Sequence, residues 1–333
     1  MSPVAQDGFE SDAFASDAAG KIFHFKFDGD ARPLKPYLLE RYQYGRETAW
    51  RESFYPERVR LNGAPVAEST WVRPGDTVTY RHLRAEEPLA AAALPVLYED
   101  EWLVAIHKPD DVPVSPSGLY YFTSVAIRAR EDFGNPELTP LHRLDLETTG
   151  VLLLARRRAY LRAFHALFEQ HRIAKRYLAL VFGTFPAGRT EIAGRIVPAS
   201  ASAIHTKLSL DPASPQPNSH TRILRVVSHG HCSELLVAPE TGKTNQIRVH
   251  LAHAGHAIVG DKKYFPDESV FLDWLQHRDF ARLQGQLWLP RQALQCQSLA
   301  FDHPFTGEPV TIAAAPDSWR AKIGDVVPNP ALD

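Results

Sequence analysis

Polar and ionisable side chains are densest in residues 141–155, LHRLDLETTGVLLLA. His142, Arg143, Asp145 and Glu147 come just before an apolar run, GVLLLA, that is typical of a strand buried on both faces. A loop at the mouth of a sheet is where a rigid scaffold presents functional groups. Asp145 is therefore the first candidate for chemistry.

Four interpretations of Asp145 stay open from this segment alone. It could be a nucleophile that a nearby cation keeps ionised. It could form a general acid and base pair with Glu147, or a metal site with His142. It could also be a turn residue whose carboxylate caps backbone amides, which is at least as common.

A second polar group lies in residues 240–264, ETGKTNQIRVHLAHAGHAIVGDKKY. We expect a strand here, in which Gln246, Arg248 and His250 share one face because side chains alternate along a strand. Ile247 would face the opposite side. Arg248 would then be free to point toward a site.

Three histidines in this segment step by three: His250, His253 and His256. That spacing invites a zinc interpretation, but Gly255 interrupts a helical ligand face and no suitable fourth ligand follows. We expect hydrogen-bonded structural histidines and no metal.

Tyr177 begins another apolar run, YLALVFG, and alone indicates only a half-buried aromatic side chain. Shortly before it, residues 156–176 contain seven Lys or Arg residues against one acid, Glu169. Such a local field suits a phosphate backbone, although a solvated helix face is the commoner explanation.

The elements that must position these side chains are mostly short strands joined by tight turns. We expect strands in WLVAIHKP, GVLLLA, YLALVFG, CSELLVAP and QIRVHLAHAG, and a helix over 158–171. Residues 265–290 indicate an insertion with a short helix around residues 271–276. Tight turns favour antiparallel pairing, so the expected fold class is α+β with a large mixed, mostly antiparallel sheet.

The domain organisation follows from composition shifts. Residues 1–20 indicate a flexible acidic tail, and residues 21–83 a small α+β domain with turns at Asn62-Gly63 and Pro74-Gly75. Residues 84–95, RAEEPLAAAALP, indicate a linker. Residues 96–325 form the larger domain.

Overall composition limits the class of protein. The chain has 333 residues, is 44% hydrophobic and has a formal net charge of −2, as in an ordinary globular protein. It shows neither a membrane-length apolar run nor a secretory signal. Two cysteines, Cys232 and Cys296, give no disulfide framework and predict a cytoplasmic location.

Four segments, in order, resemble the hallmarks of the RluA family of pseudouridine synthases. HRLDLETTG resembles the first, with Thr149 in place of Ser, and KRYLALVFG matches the second. TGKTNQIRVH with GDKKY resembles the third, and HPFTGEPV resembles the fourth hallmark, which ends the family's pattern. The likeness covers about residues 94–319, and the four motifs together are far more specific than any one of them.

This resemblance implies a pseudouridine synthase catalytic domain with an RNA-binding cleft, preceded by a small N-terminal RNA-binding domain. Asp145 matches the aspartate that attacks the uridine, and Arg248 matches its ion-pair partner. Tyr177 matches the aromatic residue that packs on the target base. Arg143 matches the residue that fills the space of the flipped base, and Ile247 an apolar pocket wall.

The same motifs imply further substrate or RNA contacts. These are expected at His142, Leu144, Thr148, Gly150, Lys175, Lys243, Asn245 and Gln246. Two of them depart from the family pattern, because Lys243 and Asn245 replace its usual Arg and His.

The expected function is isomerisation of a specific uridine in rRNA or tRNA, in which uracil is detached, rotated and rejoined through carbon. That reaction needs no redox step or outside group, so no cofactor is expected. The expected partner is RNA, with no membrane and no obligate protein partner. Two alternatives stay open: a catalytically silent RNA-binding or ribosome-assembly factor on the same fold, and a hydrolase that uses Asp145 and Glu147 as two carboxylates.

Overall fold

The computed structural model describes residues 20–41, 58–67, 69–88, 93–117 and 120–325. The predicted tail lies outside the described residues, except for Gly20, which begins the first strand.

The described residues belong to two compact units. The smaller unit takes the described residues up to 88 and those of 116–123, and the larger unit takes the remainder. Part of the proposed linker, 89–92, lies outside the described residues. The boundary at 84–95 therefore stays a prediction.

The smaller unit is built on a four-stranded antiparallel sheet in the order β1-β6-β3-β4. Asn62 and Gly63 join β3 to β4 with positive φ angles of 51° and 84°, which confirms the predicted turn. The core packs Val59 and Val78 of the sheet against Leu34 of the helix. The elements are β1 (Gly20–Lys26), β2 (Arg32–Pro33), α1 (Leu34–Arg41), β3 (Val59–Leu61), β4 (Ala64–Pro65), β5 (Trp71–Val72) and β6 (Thr77–Leu83).

Residues 116–123 join the smaller unit through the buried carboxylate of Glu87. It accepts hydrogen bonds from the backbone N–H groups of Tyr121, Phe122 and Thr123 at 2.7–2.8 Å. Burial alone would raise the pKa of Glu87, but these hydrogen bonds and His82 lower it.

The larger unit is dominated by one eleven-stranded sheet. Its strands are β7 (Val96–Glu99), β8 (Leu103–Lys108), β9 (Thr139–Pro140), β10 (Thr149–Ala155), β11 (Ala174–Phe182), β12 (Glu191–Pro198), β13 (Leu208–Asp211), β14 (Ser219–Ser228), β15 (Cys232–Pro239), β16 (Leu294–Asp302) and β17 (Pro309–Ala313). The helices are α2 (Val125–Asp132), α3 (Leu161–Glu169), α4 (Gln246–His253), α5 (Ser269–His277) and α6 (Gln284–Leu287).

The main path of the sheet runs β13-β12-β14-β15-β11-β16-β10-β8-β7, with β17 on β16 and β9 on β10. Within the described residues, β10 and β16 form its one parallel pair, so the predicted mixed, mostly antiparallel sheet is confirmed. All seven residues of β10 are buried, as its apolar run predicted.

Gly150 is required where these parallel strands meet. It pairs with Cys296 and has a φ of 107°, and a Cβ atom there would collide with the Cys296 carbonyl. The glycine of the first motif therefore permits a close approach between two backbones.

The predicted helices in this unit are confirmed. A 3₁₀ turn at Arg158–Tyr160 leads into α3, which covers most of 158–171. The predicted helix around 271–276 is α5.

One prediction was wrong: the segment that begins at Gln246 is helix α4 rather than a strand. Alternating Ile247 and Val249 suggested period two, but buried Gln246, Val249 and His250 also fit the helical spacing of three and four. Gly255, with a φ of 84°, follows the end of this helix, at the position where the strand interpretation placed the end of a strand.

Candidate active site

Asp145 lies in the loop that leads into β10. Ion pairs and hydrogen bonds to distant segments of the chain hold this loop in place. Nζ of Lys262 lies 2.6 Å from the Glu147 carboxylate, which also accepts the Gln292 backbone N–H at 3.0 Å. The Gln292 side chain donates to Thr148 at 2.6 Å. Glu147 is therefore used as an anchor.

A buried lysine supports the same loop. Lys108 is fully buried, and its Nζ donates to the carbonyls of Pro109 at 2.7 Å and Leu146 at 2.9 Å. Burial lowers the pKa of Lys108 to about 7. Further along, the Thr149 hydroxyl donates to Asp317.

Arg248, on α4, is the centre of the site's charge network. Its Nε and Nη2 atoms donate to the two oxygens of Asp261 at 2.7 and 2.9 Å. Its Nη1 atom donates to Asp145 at 2.8 Å. Burial opposes its charge, but both carboxylates more than compensate and raise the pKa of Arg248 well above its usual value. Asp145 thus faces a permanently charged, fixed donor.

Asn245 is a second neighbour of Asp145. With its nitrogen turned to Asp145, the side-chain amide donates to the carboxylate at 3.0 Å and accepts from the Tyr264 hydroxyl at 3.0 Å. The opposite orientation would set the amide oxygen against a carboxylate that can only accept.

Tyr177 is half-buried and lies directly before the buried part of β11, next to a bulge after Arg176. Its backbone pairs with Val237 on one side and Cys296 on the other. Burial and the neighbouring Cys296 thiol raise the pKa of Tyr177 well above its usual value, so the phenol stays protonated at neutral pH.

These groups meet in one cleft with a cavity volume of about 130 Å³. Of the predicted site residues, it is lined by Arg143, Leu144, Asp145, Thr148, Lys175, Tyr177, Lys243, Asn245, Gln246, Ile247 and Arg248. The sequence motifs therefore converge in space, although Asp145 and Arg248 are 103 positions apart.

Two predicted contact residues lie outside this cleft. The His142 ring accepts the Leu153 N–H at 3.1 Å and packs on Phe168, and burial lowers its pKa to about 4. Gly150 lies in the strand pairing described above. Both have structural surroundings that explain their residue type.

Gln246 lines the cleft, but its amide is fully used within the protein. It accepts from Thr241 and the Lys243 backbone, and donates to the His220 carbonyl and the Thr221 hydroxyl. It therefore fixes the loop before α4. Lys243 itself is exposed, whereas Lys175 is half-buried and its Nζ donates to the Thr241 carbonyl at 3.3 Å.

The histidines of the second polar group have separate roles. His250 is buried and hydrogen-bonds Ser219 at 2.9 Å, and His256 hydrogen-bonds the Phe182 carbonyl. Among the described residues no three His, Cys, Asp or Glu side chains are placed to share a metal ion.

Sequence reasoning assigned no role to two important residues, Asp261 and Tyr264. Both belong to the GDKKY segment, and Asp261 is almost fully buried against Arg248. Physical reasoning could have predicted that such a residue exists. A half-buried arginine that binds a functional carboxylate needs a second acceptor to hold its guanidinium group in place.

Chemically, the cleft combines a carboxylate facing a fixed cation, an aromatic ring and apolar walls. Such a carboxylate can act as a nucleophile, and the ring can pack on a planar base.

No helix among the described residues has the length and apolar character to cross a membrane.

Comparisons with known proteins agree with this geometry. The model of a family described as RNA pseudouridylate synthase matches residues 102–253. The chain is 31% identical to ribosomal large subunit pseudouridine synthase C of Haemophilus influenzae, over 89% of this chain and 92% of that protein. It is 29% identical to the mitochondrial tRNA pseudouridine(32) synthase of Saccharomyces cerevisiae, over 74% of this chain but only 57% of that longer protein.

A solved structure shares the fold as well. The human RNA Pseudouridylate Synthase Domain Containing 1 superposes with a TM-score of 0.53 at 25% identity, covering 69% of this chain and 86% of that one. The match at 31% identity covers 89% of this chain, and residues of the sequence motifs line one cleft. These two observations together assign the chain to a family. The chain belongs to the RluA family of pseudouridine synthases, enzymes that isomerise uridine in RNA.

Proposed function

We propose that this enzyme isomerises a specific uridine in rRNA or tRNA and that Asp145 is its nucleophile. The observation that carries the proposal is the 2.8 Å contact between Arg248 Nη1 and Asp145, with the rest of the guanidinium locked by Asp261. An arginine so fixed holds the attacking carboxylate in place through a charge-assisted hydrogen bond.

The reaction balances without an outside reagent. The Asp145 carboxylate bonds to the ribose C1′ atom as the bond between C1′ and N1 breaks, and the released uracil turns. Its C5 atom then bonds to C1′ as the bond from C1′ to Asp145 breaks, which regenerates the carboxylate. C5 finally loses its proton and N1 gains one. The atoms of product and substrate are the same, so no cofactor is proposed.

The walls of the cleft suit a flipped base. Tyr177 offers an aromatic face, and Ile247 and Leu294 offer apolar contacts. Removing a base from its stack costs a few kcal/mol, which stacking and apolar contacts in the pocket offset. Exposed Arg143 lies at the rim, where it suits the space that the base leaves.

A neighbouring cavity offers a path for the rest of the RNA strand. It has a volume of about 630 Å³ and shares Lys175 and Thr241 with the cleft. Its walls include exposed His171, Arg176 and Arg222. We propose that phosphates next to the target uridine lie here.

The choice between rRNA and tRNA stays a proposal. One relative is named for the ribosomal large subunit and another for tRNA. RNA binding by the smaller unit and a cytoplasmic location are also proposed from the sequence alone.

The decisive experiment deletes the protein, maps pseudouridines across total RNA, and restores either the wild type or Asp145→Asn. We expect one defined site to disappear and to return only with the wild type, while the purified variant still binds that RNA. A variant that lost binding but kept residual activity would contradict the nucleophile assignment. No change at any site would favour the silent RNA-binding alternative.

A further inference from the structure

Asn245 occupies a strained backbone position directly before α4. Its φ of 55° is left-handed, a conformation that Asn and His adopt more readily than most residues. Its carbonyl accepts the Val249 N–H at 2.9 Å and so begins the helix. The backbone of Asn245 is therefore fixed, and its side chain starts from a defined place between Asp145 and Tyr264.

Hydrogen-bonding capacity decides the direction of the Asn245 amide. The opposite orientation would let the amide oxygen accept a 3.3 Å contact from Arg248 Nη1 but would set it against the Asp145 carboxylate. A carboxylate only accepts, so the amide nitrogen faces it, at 3.0 Å from Oδ2 and 3.2 Å from Oδ1. The Tyr264 hydroxyl accepts the Leu208 backbone N–H at 3.3 Å, which leaves its own proton to donate to the amide oxygen at 3.0 Å. Donors and acceptors thus alternate from Leu208 to Asp145.

Tyr264 is the fixed end of this chain. It is 4% exposed, and the Arg248 guanidinium lies over its ring, 4.9 Å from the centroid. Tyr264 therefore touches both groups that donate to Asp145, one through its hydroxyl and the other through its ring.

We propose that Asn245 is a positioning residue for the nucleophile: its amide, oriented by Tyr264, shares the Asp145 carboxylate with Arg248. This inference rests on the proposed role of Asp145. The two shorter contacts, 2.8 Å from Arg248 and 3.0 Å from Asn245, fall on Oδ2. Oδ1 has only the 3.2 Å contact and is the oxygen that attacks the substrate.

Asparagine suits this role at position 245 for two physical reasons. A neutral donor orients the carboxylate without adding a second positive charge beside Arg248, and Asn tolerates the left-handed backbone. The usual family residue here, His, shares both properties, since it has a ring N–H and enters the same backbone region.

The test compares Asn245→Gly, Asn245→His and Tyr264→Phe in the full-length enzyme with its mapped RNA. Glycine keeps the backbone angle but removes the donor, so kcat should fall about 10- to 100-fold while KM for RNA changes little. Asn245→His should recover most of that loss. Tyr264→Phe keeps the ring under Arg248, and it should lower kcat by less than the glycine change.

Coupling between the two positions is the sharper readout. If Tyr264 acts by orienting Asn245, then adding Tyr264→Phe to Asn245→Gly should cause no further loss of kcat. Additive losses, or a rise in KM at unchanged kcat, would overturn the positioning role. If Asp145→Asn is inactive but Asn245→Gly retains wild-type kcat, the proposed function stands and this inference fails. If wild-type protein modifies no RNA, the proposed function itself fails.

Discussion

A 2.6 Å ion pair joins Lys262 to Glu147, which lies 115 positions earlier in the sequence, in the loop that carries Asp145. Lys262 is 4% exposed and also donates to the Pro290 carbonyl. The pair therefore links the loop to a distant segment. This structural use of Glu147 argues against its being a second catalytic carboxylate.

Glu147→Gln should reduce stability more than chemistry. Removing one partner leaves a buried charge uncompensated, at a cost of about 3 kcal/mol in free energy of unfolding. Urea unfolding checks this value, and kcat measured well below the unfolding temperature should stay within a fewfold of wild type. Loss of activity equal to that of Asp145→Asn would instead support the two-carboxylate hydrolase. The double change with Lys262→Met should recover stability.

Arg248→Lys should lower kcat at least 100-fold, because one ammonium group cannot bind both Asp261 oxygens and still reach Asp145. Multiple-turnover kinetics with RNA in saturating excess over the enzyme would measure it. A matched control is Arg320→Lys, since Arg320 binds Glu234 at 2.5 and 3.0 Å and does not line the cleft. Equal effects of the two substitutions would contradict a specific role for Arg248.

Tyr177 should act mainly through its ring. Stacking on a base contributes about 1–3 kcal/mol, so Tyr177→Leu should turn over at least about fivefold more slowly than Tyr177→Phe. Because the pKa of Tyr177 is raised well above its usual value, the wild type and Tyr177→Phe should have pH–rate profiles of the same shape between pH 6 and 9. A limb below pH 9 that vanishes in the Phe variant would show that the hydroxyl titrates.

Arg176 and Arg222 should contribute to RNA affinity through phosphates. Each change to Gln should weaken binding and reduce the slope of log affinity against log salt by about 0.7, the value for a contact to a single strand. Fluorescence anisotropy at several salt concentrations measures both quantities. Arg282→Gln is the matched control, because Arg282 is exposed, binds Asp273 and lines neither cavity. An unchanged slope for all three would remove the proposed RNA path.

Lys108 should make stability depend on pH. Its folded pKa, about 7, lies below the ordinary value of 10.5, so the unfolded chain binds more protons between these values and stability rises with pH there. The rise is at most about 1.4 kcal/mol per pH unit. Urea unfolding of wild type and Lys108→Met at pH 7 and 9 should show a difference that grows by about 2 kcal/mol in favour of the wild type. Parallel curves would mean that Lys108 stays charged.

The sequence predicted β10 because residues 150–155 form an unbroken apolar run, which is typical of a strand buried on both faces. It misassigned α4 because Ile247 and Val249 alternate and because Gly255 can end a strand as well as a helix. That Arg248 needs a second acceptor is predictable, but the side chain that supplies it is not, because the pairings of Arg248 with Asp261 and of Asn245 with Tyr264 form only on folding. Local patterns predict elements, whereas tertiary packing decides the partners of individual side chains.

Three side chains or segments that anchor the Asp145 loop follow it in the sequence. Lys262, Gln292 and Asp317 lie 115, 145 and 168 positions after the loop residues that they hold. During synthesis, the nucleophile leaves the ribosome long before these three residues exist. A nascent chain therefore carries every motif residue up to Arg248 and still has no finished site. A chain that ends before these three residues lacks their contacts to the Asp145 loop, and we expect it to be inactive.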